Sequence, residues 1–292
     1  MTVEVEQRPA AARRGSRMAG LAVMMAGAAS NQTGAAIGAH AFDLIGPSGV
    51  VAVRQFVAAS VLLPAVRPDL RRFTRAQWWP TILLGIVFVG MNLSLYTAID
   101  RIGLGLAVTL EFLGPLAVAL AGSRSRLDVL CAVAAASGVY VLVLPSGSSD
   151  WTGIGCGLLA GGCWASYILL NRLLGQRLPG LQATAAATTI AAVLTLPLLI
   201  ALVVQGRLTP LALLYGIAAG LLASVIPYAG DLIALRRVPA HFFGVLMSVH
   251  PVFAALAGLV LLEQVLAVHE WIGIAVVVGA NILAVRHNAG RG

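Results

Sequence analysis

The sequence predicts an all-α polytopic membrane protein. Three observations carry this: 59% of the 292 residues are apolar, only 10% are charged, and the mean hydropathy is +0.93. Soluble domains carry about 25% charged residues, so one large water-soluble fold cannot cover its surface from this composition. Disordered chains are poor in apolar residues, which excludes disorder. Barrel strands alternate apolar and polar, whereas these runs are continuously apolar. At roughly 29 residues per span and loop, the length accommodates about ten spans.

The first run, 18–39, follows a polar tail (1–17) with Arg8, Arg13, Arg14 and Arg17. A signal peptide would look similar at first, but another apolar run begins at once, so 18–39 is read as span 1. The others are 47–66, 78–99, 104–122, 127–145, 153–172, 181–204, 211–235, 240–262 and 270–286. Trp78, Trp79, Trp151 and Trp271 fall at span ends, where amphipathic rings favour the headgroup layer. Small residues four apart, such as Gly34/Gly38, Gly153/Gly157/Gly161 and Gly216/Gly220, let helix backbones approach closely.

All 19 basic residues are Arg. With the N-terminus cytoplasmic, the inner segments hold 16 of them, the outer loops hold Arg101 and Arg207, and Arg54 lies within a span. That bias obeys the positive-inside rule and places both termini in the cytoplasm. It also gives the pI of 10.4 a topological meaning, and nucleic acid is not an expected partner. Cys131, Cys156 and Cys163 have no CxxC spacing and are read as packing residues. His269-Glu270 lacks the second His of a zinc-binding HExxH, since position 273 is Gly. No metal, cofactor or nucleotide-binding pattern is present.

Shifted by 136 positions, residues 98–122 overlay 234–258 with eight identities, Pro115/Pro251 and Arg101/Arg237 among them. Weaker echoes are Gly20-Leu21 with Gly153-Ile154 and Gly85-Ile86 with Gly216-Ile217. The chain therefore divides into a five-helix repeat (18–145), a linker loop (146–152), a second five-helix repeat (153–286) and a short tail (287–292). Five is odd, so the second unit enters the membrane from the opposite side. Inverted repeats about an axis in the membrane plane are a recurring transporter design, suited to alternating access.

Residues 101–116 (Arg-Ile-Gly-Leu-Gly-Leu-Ala-Val-Thr-Leu-Glu-Phe-Leu-Gly-Pro-Leu) and Ser123-Arg124-Ser125-Arg126-Leu127-Asp128 carry a family likeness. In the second half, Val225-Ile226-Pro227-Tyr228, Ala234-Leu235-Arg236-Arg237-Val238-Pro239 and Phe243–Pro251 do the same. With these motifs the chain resembles the drug/metabolite transporter superfamily, EamA-type, and within it the threonine and homoserine exporter branch. The resemblance implies secondary active export of small hydrophilic metabolites, most of all amino acids, by proton antiport across a bacterial cytoplasmic membrane. Two departures stand out: His250 where similar sequences often have an acid before the span 9 proline, and Glu263-Gln264 where they often have Gly-Glu.

A charge at membrane depth costs at least ~2.5–3.5 kcal/mol, so the few polar groups inside spans become the site candidates. Glu111, seven residues into span 4 and four before Pro115, can carry a proton or bind an ammonium group, or be a protonated or Arg-paired structural acid. Arg54 can grip a substrate carboxylate with its planar fork, pair with Glu111, or snorkel to the interface. Asp231 either pairs with Arg236 or Arg237 or lines the cytoplasmic mouth. His250 titrates near neutrality or is hydrogen-bonded within the bundle. Asn31, Gln32, Asn92, Tyr96, Tyr167 and Tyr228 can contact a zwitterion or hold helices together. Pro115 and Pro251 interrupt matching spans, a pointer to the binding site in such repeats. Spans 5 and 10, poorest in charge, lie at the periphery, where a homodimer contact could form. Another metabolite or a drug as substrate, a membrane-embedded enzyme and a non-transporting scaffold stand as alternatives. An enzyme would need a convergent nucleophile and base or a metal cluster, and the inverted repeat weighs against both non-transport readings.

Overall fold

A computed structural model of the chain describes residues 10–121, 125–144, 149–228, 230 and 247–289, with side chains from 22 to 287 of these. Asp231, the end of span 8, the start of span 9 and much of the repeated segment 234–258 lie outside the described residues. So do the outermost parts of both tails and residues 146–148 of the linker.

Among the described residues the architecture is helical throughout, with no strand. Eight helical segments are long and apolar enough to cross a membrane. They are α2 (Phe42–Val66), α3 (Arg75–Ile102), α4 with α5 (Leu104–Glu111 and Leu113–Ala121) and α6 (Arg126–Val143). The others are α7 (Trp151–Gly175), α8 (Gln182–Val204), the segment Pro210–Tyr228 that opens with α9 (Pro210–Gly220), and α11 (Val268–Ala289). Two further helices are α1 (Ala10–Ala39) and the shorter α10 (His250–Leu261). The chain is a polytopic membrane protein.

Local chemistry sets the helix starts. Gly46 sits at φ +73°, ψ 165°, so regular helix in α2 begins with Pro47, whose fixed φ suits a first turn. Ser125 and Asp128 cap each other ahead of α6 (Asp128 N to Ser125 Oγ, 3.1 Å). Asp150 accepts from Gly153 N (2.8 Å) at the head of α7, and Thr209 accepts from Ala212 N (3.2 Å) at the head of α9. Each satisfies an N–H that a helix leaves open at its start.

The helices interlock reciprocally. α3 lies along α7 as α9 lies along α1; α2 meets α9 as α3 meets α8; α4 and α5 meet α7 as α10 meets α1. Three pairs are self-matched: α2 with α8, α4 with α10, and α6 with α11. The echoed glycines are close-approach points of this scheme. A Cβ on Gly85 would come within 2.7 Å of Ile190 on α8, and one on Gly216 within 2.5 Å of Val53 on α2. Only the absence of a side chain lets these pairs of helices touch.

Loops pair across the bundle as well. Arg207 donates to Leu44 O (3.1 and 2.9 Å), Arg101 pairs with Asp150 (3.0 Å), and Gln264 Oε1 accepts from Leu104 N (2.9 Å). Separately, Arg177 donates to Ala76 O (2.5 Å) and Gln77 to Arg177 O (2.9 Å). The Arg177 bond has a specific cause. Pro80 has no N–H, so the carbonyl four residues back, Ala76 O, loses its helical donor, and the guanidinium replaces it.

Candidate functional site

The principal apolar cluster packs at the end of the bundle bearing the 39–42, 102–104 and 205–209 loops. It includes Ala36, Ala41, Ile45, Ile99, Leu104, Leu202 and Ala212. Behind it, near the middle of the helices, lies a cavity of about 90 Å³. Its walls hold Asn31 and Gln32 from α1, Arg54 from α2, Asn92 from α3 and Glu111 from the end of α4. Trp164 and Tyr167 from α7, Tyr228 and His250 complete the polar and aromatic lining. Polar residues scattered through the sequence are thus gathered by the helix crossings.

Arg54 is 6% exposed and Glu111 5%. They do not form an ion pair: among the described residues the ion pairs are Arg72–Asp69 and Arg101–Asp150. Arg54 is held elsewhere. Its Nε donates to Ser224 Oγ (2.8 Å) and its Nη2 to Ala223 O (2.6 Å), and its guanidinium lies 5.3 Å from the Tyr96 ring centre.

The attraction to Ala223 follows from the sequence. Pro227 lacks an N–H, so Ala223 O loses its helical donor. The chain answers with a wider turn over Leu221–Val225, in which Ile226 N reaches Leu221 O. Leu222 O is then missed twice: Ile226 is already engaged, and the next residue is Pro227. Ser30 Oγ on α1 donates to it instead (2.8 Å). Two side chains therefore serve the carbonyls that the proline and the widened turn together leave bare, as buried carbonyls require.

Tyr96 does not line the cavity. It is fully buried beneath Arg54, edge-on to Phe42 (5.8 Å), and its hydroxyl has no hydrogen-bond partner among the described residues. Asn92 Nδ2 donates one hydrogen to Phe88 O (2.7 Å). Gln32 Nε2 donates to His250 Nδ1 (3.2 Å). The imidazole stacks on Phe112 (5.8 Å), and Trp164 stands edge-on to Phe112 (4.8 Å). Tyr167 and Tyr228 flank Phe88 at 5.6 and 5.9 Å.

Both repeat prolines mark interruptions. α4 ends at Glu111 and α5 begins at Leu113, two residues before Pro115, and Ser248–Val249 form a turn before α10 and Pro251. Pro115 deprives Glu111 O of a helical donor, and Asn281 Nδ2 on α11 donates to the adjacent Phe112 O (3.4 Å). The acid thus sits where its own helix is broken. Ser224, Ser30, Phe112 and Trp164 were not singled out from sequence. Pro227 was the available signal for a broken turn, whose i−4 carbonyl, Ala223 O, takes Arg54 while Ser30 serves Leu222 O and Ser224 accepts from Arg54 Nε.

Polar atoms converge at mid-depth in a bundle whose outside is apolar, and among the described residues no cluster could hold a metal. A membrane transporter is built this way. Residues 151–286 match the EamA-like transporter family. The threonine/homoserine exporter RhtA of Salmonella typhimurium (strain LT2) is 35% identical over 270 residues, 89% of each chain, and that of Escherichia coli (strain K12) 34% over 266 residues, 90% of each. The chain belongs to the EamA-like transporter family, and it is not an enzyme. A crystal structure sharing 18% identity superposes with a TM-score of 0.61 over 94% of this chain and 99% of its own, which supports the fold.

Proposed function

We propose that the chain is a secondary active exporter of amino acids, threonine and homoserine foremost, working by proton antiport and alternating access in a bacterial cytoplasmic membrane. The observation that carries this is the coexistence of Arg54 and Glu111 in one small buried cavity with no ion pair to either among the described residues. A zwitterion supplies both missing partners: its carboxylate for the guanidinium, its ammonium for the acid. Glu111 can equally discharge by taking a proton, so proton and substrate compete for one carboxylate, which is the logic of antiport. Trp164, Tyr167 and Tyr228 offer aromatic faces for the ammonium group. The volume of about 90 Å³ favours a metabolite over a drug, whose pockets run about 300–1,000 Å³. The relatives named as threonine/homoserine exporters favour the same class.

Ten spans in two inverted five-helix units, with cytoplasmic termini, form the working architecture. Its support is the reciprocal helix packing together with the joining of the Arg-poor loops by Arg207–Leu44 and Arg101–Asp150. Rocking of the units would open the apolar seal at one end and close the cavity at the other. The test is flux in proteoliposomes for threonine, homoserine, other amino acids and several drugs, with and without an imposed proton gradient. Gradient-stimulated threonine or homoserine flux is expected; no gradient-sensitive flux of any compound overturns the proposal. Glu111→Gln is expected to abolish gradient-driven flux while leaving exchange between equal pools less affected.

A further inference from the structure

A guanidinium carries five N–H donors in a rigid plane. Arg54 commits its Nε edge to the broken turn: Nε to Ser224 Oγ at 2.8 Å and one Nη2 hydrogen to Ala223 O at 2.6 Å. What remains is the opposite edge, the two Nη1 hydrogens and the second Nη2 hydrogen. These form a fork of the geometry that binds a carboxylate through two oxygens. Because the group is planar, fixing one edge fixes the direction of the other. The Tyr96 ring, 5.3 Å from the guanidinium carbon, restricts it further. Ser224 is 2% exposed and is not part of the cavity wall, so it acts only through Arg54.

We propose that Ser224 is a positioning residue for substrate selection: by holding the Nε edge of Arg54 it aims the free fork into the cavity, and so favours ligands bearing a carboxylate over amines that lack one. This rests on the proposed amino-acid transport and deepens it. It also gives the Pro227 turn a purpose, since an intact helix would have no bare carbonyl to hold Nη2. Occupation of the fork and the shape of the span from Pro210 are then linked through one side chain.

The test compares threonine with threoninol, its amino alcohol, using the full chain in proteoliposomes and, for equilibrium binding, in detergent. Ser224→Ala removes the hydrogen bond to Nε while leaving Arg54 in place. The expected result is a rise of about tenfold in the half-saturating threonine concentration, the size expected for one hydrogen bond to a charged group. Maximal flux and threoninol binding should remain within about twofold. Ser30→Ala, which removes the other cap of the same turn, provides the structural comparison. It is expected to lower the melting temperature without changing the threonine-to-threoninol ratio. If wild type binds threonine and Ser224→Ala leaves that ratio unchanged, or if Ser30→Ala shifts it equally, the positioning role is overturned and amino-acid transport stands. If wild type binds neither threonine, homoserine nor acetate, both are overturned.

Discussion

Arg54 and Arg177 meet the same local need in two different places. Each donates to the carbonyl that a proline four residues later has stripped of its helical partner: Arg177 to Ala76 O ahead of Pro80, Arg54 to Ala223 O ahead of Pro227. Around Ala76, which is exposed, water can take over the bond. Around Ala223, which is 3% exposed, only Arg54 and its cavity can. α3 runs unbroken past Pro80, whereas the segment after α9 widens into a longer-period turn before Pro227. The same chemical defect is a surface detail in one span and the organising point of the cavity in the other.

The comparison can be broken by removing each cap in turn. Arg54→Ala should have the largest effect, leaving Ala223 O and Ser224 Oγ buried without their donor; a loss of about 3–5 kcal/mol is expected, seen as failed expression or a sharply lowered melting temperature in detergent. Adding Pro227→Ala should recover part of it, because the restored N–H reaches Ala223 O; a double variant no more stable than Arg54→Ala would refute the proline as the cause. Next come Gly85→Ala and Gly216→Ala, which should cost similar amounts, about 1–3 kcal/mol each, if the two halves pack reciprocally. Arg177→Ala should cost only about 0–1 kcal/mol. Tyr96→Phe should be smallest, neutral or stabilising by about 1 kcal/mol at most, because its hydroxyl is buried without a partner.

One pH effect lies outside the membrane. The Gly153 N–H and then Arg101 hold the Asp150 carboxyl below its usual range. The stability it contributes is therefore present above the ordinary aspartate value and lost as pH falls below it. Asp150→Asn should lower the melting temperature slightly at neutral pH and make no difference once pH is below that range.

Much of the fold was legible in the sequence because a bilayer imposes simple rules. Eight of the expected spans coincide with apolar helical segments among the described residues, and the glycine echo at 85 and 216 marked two real close approaches. Arg54 and Glu111 stood out because charge is scarce. Their partners were not legible. A sequence gives depth along a helix but not which helices share a neighbour, so a direct Arg54–Glu111 pair was as reasonable as the arrangement found, in which Arg54 turns to the Pro227 break. Tyr96 illustrates the same limit: membrane depth suggested a site residue, yet the helix crossings placed it under the guanidinium.

The apolar cluster at the loop-bearing end sets short side chains, among them Ala35, Ala36, Ala41, Ala98, Ala212 and Ala219, between larger ones such as Ile45, Ile99, Leu104 and Leu202. Burial is favourable in proportion to apolar area, about 25 cal/mol per Å², and a methyl group presents little of it. A plug of leucines and phenylalanines would hold that end shut with a large wetting cost. Where the alanines meet, the helices interlock by backbone proximity and exclude water by fit, while the larger residues beside them supply most of the buried apolar area.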